Sequence, residues 1–399
     1  MPEPQKIRFA EGSGGAFYKE AKQAAESYLA AAGRSRFADA RMIAKGLIFG
    51  GLAAAAYAGV LWSGLPGPAL FGFAAVFQLA AFFLAVNLGH DAAHDALFRS
   101  QRLNRFVVNA TFTLLGVDGR LWALRHRKSH HVFPNVLGCD ADIDDNTFVR
   151  LSPHHRWRPY HRLQHLYAPL LYMLVGLHSI LVLDVVYLRK KSLANMRNLT
   201  HSRSEIAGFV FRKAVYFTLC LGLPLALLPL PAWQIALGWI GVTAIMSLTF
   251  MALLVGTHFA EESAFPAVAA DGSIPRGWAE HAVATAVDWN PESRFVHFLT
   301  GGFNTHATHH LFPNLSHLHY RAIDPLMKAA AQRHGIAVAA TTLGGLVLSH
   351  WRFLRRLGQG PGDPGRVPLG ERHRLENQDL PQQASGGQPE QSASALTQP

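Results

Sequence analysis

The chain has 399 residues, 49% of them hydrophobic, and 37 Lys and Arg against 26 Asp and Glu give a formal charge of +11. Its only two cysteines, Cys139 in a polar loop and Cys220 in an apolar run, exclude a disulfide framework and a thiolate metal site. The basic residues flank apolar runs and are not interleaved with aromatics, so the excess charge suits membrane orientation and anionic headgroups, not nucleic acid.

Residues 1–41 are polar and end in RSRFADARM, and the opening MPEPQKIRFAEGSGG has no apolar stretch of a cleavable signal peptide. Four runs without a charged residue follow, at 46–62, 69–88, 214–230 and 233–256. Each is long enough to cross a hydrocarbon core of about 30 Å as a helix. Residues 106–117, FVVNATFTLLGV, are too few to cross and read as an interfacial or re-entrant helix. A further apolar stretch, 166–183, holds Pro169 and His178 and ends at Asp184, which suits a helix at the interface or against the cap. The tail from 358, rich in Pro, Gly, Gln and Ser, reads as disordered. The expected division is a polar N-terminal segment 1–41, a membrane domain 42–357 and a tail 358–399.

The connections SGLPGP and PLPA carry no Lys or Arg, whereas the basic clusters fall at 34–45, 99–105, 125–128 and 189–203. The positive-inside rule then puts both termini and every basic cluster in the cytoplasm, with four spans in two hairpins and 166–183 not crossing. The expected fold is all-α and integral to the membrane, with a helical cytoplasmic cap.

Histidine is abundant, at 22 residues, and clustered. HDAAH supplies His90 and His94, HRKSHH supplies His126, His130 and His131, and HATHH supplies His306, His309 and His310. Spacings of three and four place two imidazoles on one helix face. The HH doublets add a neighbour aimed elsewhere, which suits a second ion. Eight imidazoles are too many for one metal ion and enough for two, and imidazole accommodates Zn, Cu, Fe or Ni. HExxH and P-loop patterns are absent, and no GxGxxG stands before a helix. His154, His155, His161 and His165, among Arg and Pro, read as structural or headgroup contacts, and His317 and His319 read as structural.

These three motifs resemble, in order and separation, the histidine boxes of the membrane fatty acid desaturases. The segments NLGHDAAHDALF, HRKSHHVFPNVLGCDADID, HRLQHLYAPLLYMLVG, GTHFAEESAFP and GGFNTHATHHLFPNLSHLHY extend the resemblance to the acyl-lipid and linoleoyl-CoA-type branch, over about residues 40–350. The resemblance implies a non-haem centre of two Fe ions that uses O2 on an acyl chain. Its ligands are the eight box histidines and, after the last span, His258. His306 stands where many front-end members have Gln, and a fused cytochrome b5 domain with its HPGG motif is absent, which points away from that group.

Asp91, Asp95, Asp142 and Asp144 are expected to hold ligand imidazoles by their other ring nitrogen, with Glu261 and Glu262 doing the same near His258. Trp122, Phe133 and Leu311 are expected to line an apolar tunnel for the substrate. No flavin, nicotinamide or haem motif is visible, so electrons must come from an external carrier, a ferredoxin or a cytochrome b5 with its reductase. The expected partners are a fatty acyl lipid or acyl-CoA, that carrier and membrane lipids. Two rivals stay open: a lipid, carotenoid or alkane hydroxylase or ketolase on the same scaffold, and a non-enzymatic metal transporter. The second is disfavoured because transporters place polar ligands within their spans.

Overall fold

A computed structural model describes residues 7–10, 14–62, 64–144 and 147–360, leaving aside the side chains of Trp62 and Asp144. The fold is almost wholly helical and contains four helices long and apolar enough to cross a membrane: Ala40–Leu61, Gly67–Ala93, Arg203–Leu227 and Ala232–Thr257. The first two form a hairpin whose faces meet through small residues. A Cβ on Gly59 would lie 2.8 Å from the Phe73 ring, and one on Gly46 would lie 3.0 Å from Leu88. Ala53, Ala56, Phe77 and Ala80 fill the seam between them.

The observed spans are longer than the charge-free runs, for local reasons. The second closes its apolar stretch with a π-helical turn, Ala85–Gly89, and runs on to Ala93, carrying His90. The third begins far upstream, at a capping box in which Ser202 and Glu205 satisfy each other's backbone N–H groups. It tolerates Arg212 and Lys213 because they pair with Asp118 at 2.5 Å and Asp184 at 2.7 Å. Pro224 cannot donate to the ladder, and the turn before it, Thr218–Gly222, widens to π geometry.

Residues 159–189 form two helical arms, Pro159–Tyr172 and Val175–Arg189, bent by 70°. At 14 and 15 residues each arm is about 21–23 Å long, short of a membrane crossing. Gly176 at the bend docks on the fourth span, its N–H donating to Ser247 Oγ at 3.0 Å. The helix Gln101–Thr113 covers the stretch 106–117 only in part. It exposes Leu103 and Phe106 on one side and buries Val108 and Phe112 on the other, as a helix lying along an interface would.

The polar N-terminal segment is not a loose extension. Arg8–Phe9 pairs in parallel with Ser273–Ile274. The helix Gly15–Ala31 packs Phe17, Ala21 and Ala25 against Ile323, Met327, Ala330 and Ala331 of the helix Tyr320–Arg333. A second parallel pair, Val287–Trp289 with Ala339–Thr341, joins the cap to its last helix, Leu343–Gly358. The tail expected from 358 lies outside the described residues apart from its first three. Cys139 and Cys220 do not form a disulfide.

Candidate metal centre

Nine imidazoles converge where the second and fourth spans enter the cap, and all nine are buried. They divide into two adjoining groups. In the first, His90, His94, His126, His131 and His309 each offer a ring nitrogen, and these atoms lie within 4.8 Å of one another. In the second, His130, His258 and His310 do the same, joined by His306, whose Nε2 is 2.8 Å from His258 Nε2. The stacked rings of His131 and His310, 4.3 Å apart, form the boundary between the groups.

Local backbone geometry assigns each histidine to its group. The second motif is a π-turn, His126–His130, in which His131 N–H reaches back to the His126 carbonyl at 2.9 Å. That wider turn pairs His126 with His131, five residues on, their Nε2 atoms 3.1 Å apart. His130 is thereby released to the other group, so the four-residue spacing argument fails at this motif. The third motif lies on the short helix His306–Leu311, where His306 and His310 share a face and His309 points across. Both HH doublets are therefore split between the groups. The helix is tethered through buried acids: Asp288 accepts from the Ala307 N–H at 2.9 Å, and Asp324 accepts from the Thr308 hydroxyl at 2.8 Å.

The hydrogen bonds fix tautomers. His258 Nδ1 faces the Thr285 carbonyl at 2.9 Å, so that nitrogen carries the proton and Nε2 presents a lone pair. His130 Nδ1 faces the two oxygens of Asp140 at 3.2 and 3.3 Å, with the same result. With His130 neutral, as a metal requires, the two Nε2 lone pairs would meet at 3.1 Å with no proton between them. In the other group, His309 Nδ1 donates to the Tyr320 hydroxyl at 3.1 Å, and that hydroxyl passes its own proton to the Phe312 carbonyl. His309 Nε2 thus turns a lone pair toward His131 Nε2, 3.0 Å away. His94 Nε2 is buried without a partner.

Converging lone pairs repel unless a cation sits among them. Imidazole binds transition metals at about 2.1 Å, so neighbouring ligand atoms at right angles lie about 3.0 Å apart. The observed separations of 2.8–3.2 Å match that edge. Burial keeps His94, His126, His131, His258, His306, His309 and His310 well below their ordinary pKa, in the neutral form a metal requires. Burial presses on His130 as well, but Asp140 and Asp142 outweigh it and raise its pKa. The donor set therefore fits metal ions.

The expected supporting acids are placed differently. Asp91 accepts from Ser316 Oγ and the His317 N–H and lies 3.0 Å from His317 Nδ1, so it holds the last cap turn and no box imidazole. Asp95 pairs with Arg127 at 2.9 Å. Glu261 pairs with Arg356 at 2.6 Å, and Glu262 accepts from Ser349, so neither supports His258. Asp142 lies 3.4 Å from His130 Nδ1 and 3.3 Å from Arg125. The side chain of Asp144 lies outside the described residues. The closer carboxylate to His130 is Asp140, fully buried and passed over in the sequence although it opens the DADID run.

The expected tunnel residues also separate. Trp122 stacks on His126, ring centroids 4.4 Å apart and planes within 19°. Phe133 stacks on Phe9 at 5.3 Å, and Leu311 is fully buried in the cap core. Phe303 was missed. Its ring lies 4.5 Å from His90 and 6.0 Å from both His306 and His309. Among the histidines set aside as structural, His154 bonds the Phe265 carbonyl and His161 the Thr147 carbonyl.

Comparison with known proteins agrees with this architecture. A family model described as fatty acid desaturase matches residues 66–342. The sn-1 linoleoyl-lipid 6-desaturase of Synechocystis is 26% identical over 358 residues, covering 89% of this chain and 98% of that protein. The acyl-lipid (8-3)-desaturase of Physcomitrium patens is 29% identical, covering 88% and 74%. That of Mortierella alpina is 28% identical, covering 72% and 65%. With four membrane-length helices, a buried histidine cluster and a match over most of its length, the chain belongs to the fatty acid desaturase family, in its acyl-lipid branch, and is an oxidoreductase.

Proposed function

We propose that this enzyme introduces a C=C bond into the acyl chain of a membrane lipid, using O2 at a non-haem di-iron centre. The observation that carries the reading is the pair of adjoining imidazole groups with lone pairs directed at one another. His90, His94, His126, His131 and His309 would hold one ion, and His130, His258, His306 and His310 the other. When bound, the two irons supply the activation of dioxygen needed to take hydrogen from an unactivated methylene.

The chain's own residues prepare the site. Asp140, Thr285 and Tyr320 fix the tautomers of His130, His258 and His309 and so aim their Nε2 atoms. Trp122 and Phe303 lie flat or tilted against imidazoles and close the space beside them to water. Electrons would come from a ferredoxin or cytochrome b5, since no flavin, nicotinamide or haem motif is visible in the sequence. The orientation supported by the basic clusters puts both termini and the histidine boxes in the cytoplasm. The relatives' names favour an acyl-lipid substrate over acyl-CoA.

The test is the fatty-acid profile of cells expressing the wild type or His309→Ala, read by gas chromatography–mass spectrometry with double-bond localisation. Metal content of the purified proteins is measured in parallel. A new unsaturated acid made by the wild type alone, with close to two irons per chain, is expected. A hydroxylated or oxo product in its place would transfer the protein to the rival oxygenase reading, and a metal other than iron would overturn the di-iron assignment.

A further inference from the structure

Beside the cytoplasmic-side end assigned to the first span lies a cavity of about 500 Å³ that no step of the proposed reaction uses. Its lining includes Arg34, Arg41, Lys45, Arg294 and Arg321, together with Tyr28, and contains no Asp or Glu. Five cations line this recess without an acid among them; Arg34, Arg41 and Arg294 are exposed, so their joint positive field faces solvent and attracts an anion. Arg41 is partly answered from outside the cavity by Asp39 at 2.8 Å. Among the described residues the Arg34 guanidinium bonds the Tyr28 hydroxyl, at 3.1 Å, and no carboxylate. Arg294 and Arg321 have no carboxylate in ion-pair reach among the described residues.

Lys45 is the deepest of these groups. It is 3% exposed, and its Nζ lies 2.8 Å from His317 Nε2, whose Nδ1 lies 3.0 Å from Asp91. The ammonium is thereby held in place at the edge of the cavity by a buried chain of polar groups, one residue away from His90. Its remaining hydrogens are available to an acceptor there, because an ammonium has three donors.

The surroundings identify the class of anion. The outer face of the same span exposes Ile43 (64%) and Leu47 (72%), and Phe295, next to Arg294, is 72% exposed. A cationic recess bordered by lipid-facing aliphatic and aromatic side chains matches a molecule with a phosphate at one end and acyl chains at the other. We infer that this cavity binds the phosphate of a membrane glycerophospholipid headgroup, with the guanidinium groups of Arg294 and Arg321 as donors and Lys45 at its base. Guanidinium groups suit phosphate oxygens because they offer paired, charge-assisted hydrogen bonds.

The test is lipid binding to the full-length protein in detergent micelles, followed by native mass spectrometry. The probes are dioleoylphosphatidylglycerol, dioleoylglycerol without phosphate, and inorganic phosphate as competitor. The site predicts saturable binding of one phosphatidylglycerol, little retention of dioleoylglycerol, and about thirty-fold weaker phosphatidylglycerol binding in Arg294→Ala/Arg321→Ala. The control Arg102→Ala/Arg105→Ala removes two exposed charges elsewhere and should leave that binding unchanged. Equal binding by the wild type and the Arg294/Arg321 variant would overturn the assignment, as would equal loss in the control pair, which would reveal general charge attraction. Displacement by millimolar inorganic phosphate would overturn the lipid and leave a soluble anion. Circular dichroism and melting of each variant establish that it is folded. The readout requires neither metal nor turnover, so it succeeds or fails separately from the desaturase reading.

Discussion

Asp140 and His130 face each other in full burial, with Asp140 Oδ2 3.2 Å from His130 Nδ1 and also 2.9 Å from the Asn135 N–H. One carboxylate thus sets the tautomer of a cluster imidazole and pins the turn behind it. Asn135 sits there with φ 61°, and its amide reaches the carbonyls of His258 and Ala264. Asp140→Asn keeps the shape and removes the charge. The expected result is folded, membrane-inserted protein with metal affinity lowered about 10–100-fold, measured by competition with a chromogenic chelator. Unchanged affinity would remove Asp140 from any role in holding the site.

Asp118 joins three parts of the fold. Its Oδ1 caps the helix Gly119–Arg125 through the Leu121 N–H, its Oδ2 takes Arg212 of the third span, and its own N–H donates to Asp184. Asp118→Ala leaves the partly buried Arg212 without its carboxylate and the helix uncapped. Loss of one partner of such a pair costs about 3–5 kcal/mol. A clearly lower apparent Tm in detergent is expected, with Asp118→Asn falling between it and the wild type because the amide oxygen retains the cap.

Gly301, at φ +61°, closes the helix Arg294–Thr300 against the π-turn of the second span, where a Cβ would lie 2.5 Å from the Val86 carbonyl oxygen. An alanine there meets both an unfavourable backbone conformation and fixed backbone atoms. Gly301→Ala should destabilise by about 2–3 kcal/mol and reduce metal content, because the turn it displaces leads directly into His90. A variant that melts with the wild type and binds full metal would show that the π-turn yields freely.

Three buried histidines outside the imidazole cluster predict an acid limit. Burial pushes His281 down to about 4, His297 to about 3 and His350 to about 4. In the unfolded chain each titrates near 6.5. Below that value the unfolded state binds protons that the folded state refuses, so stability falls with falling pH, and above about pH 7.5 these groups contribute no slope. At pH 5.5 the loss is on the order of 1 kcal/mol per histidine. Melting temperatures between pH 5 and 8 should decline on the acid side only. His350→Phe should shallow that decline, and an identical profile in that variant would exclude His350 as a contributor.

Much of this was legible in the sequence because the relevant signals are local. Charge-free runs revealed four membrane helices, and the HDAAH, HRKSHH and HATHH motifs named the imidazoles that the fold brings together. What escaped notice depends on the third dimension. Arg212 and Lys213 hid the first half of the third span, since their partners Asp118 and Asp184 lie far off in the chain. The π-turn at His126–His130 is invisible to a counting rule built on 3.6 residues per turn. Asp140 and Asp142 have the same composition and nearly the same position, and only the turn at Asn135 decides which is buried. Phe303 and Tyr320 have no motif at all and reach the site through the tertiary packing of the cap.

The division of each HH doublet between the two imidazole groups has a mechanical consequence. Successive Cα atoms are fixed about 3.8 Å apart by the trans peptide, so His130–His131 and His309–His310 act as two inextensible links holding the halves of the centre at one spacing. Neither half can relax alone: a shift that opens one drags a backbone bond belonging to the other. On the two-ion reading proposed above, filling the first half pre-shapes the second, and the ions should be taken up together, with the singly loaded form scarce at every stage of a titration.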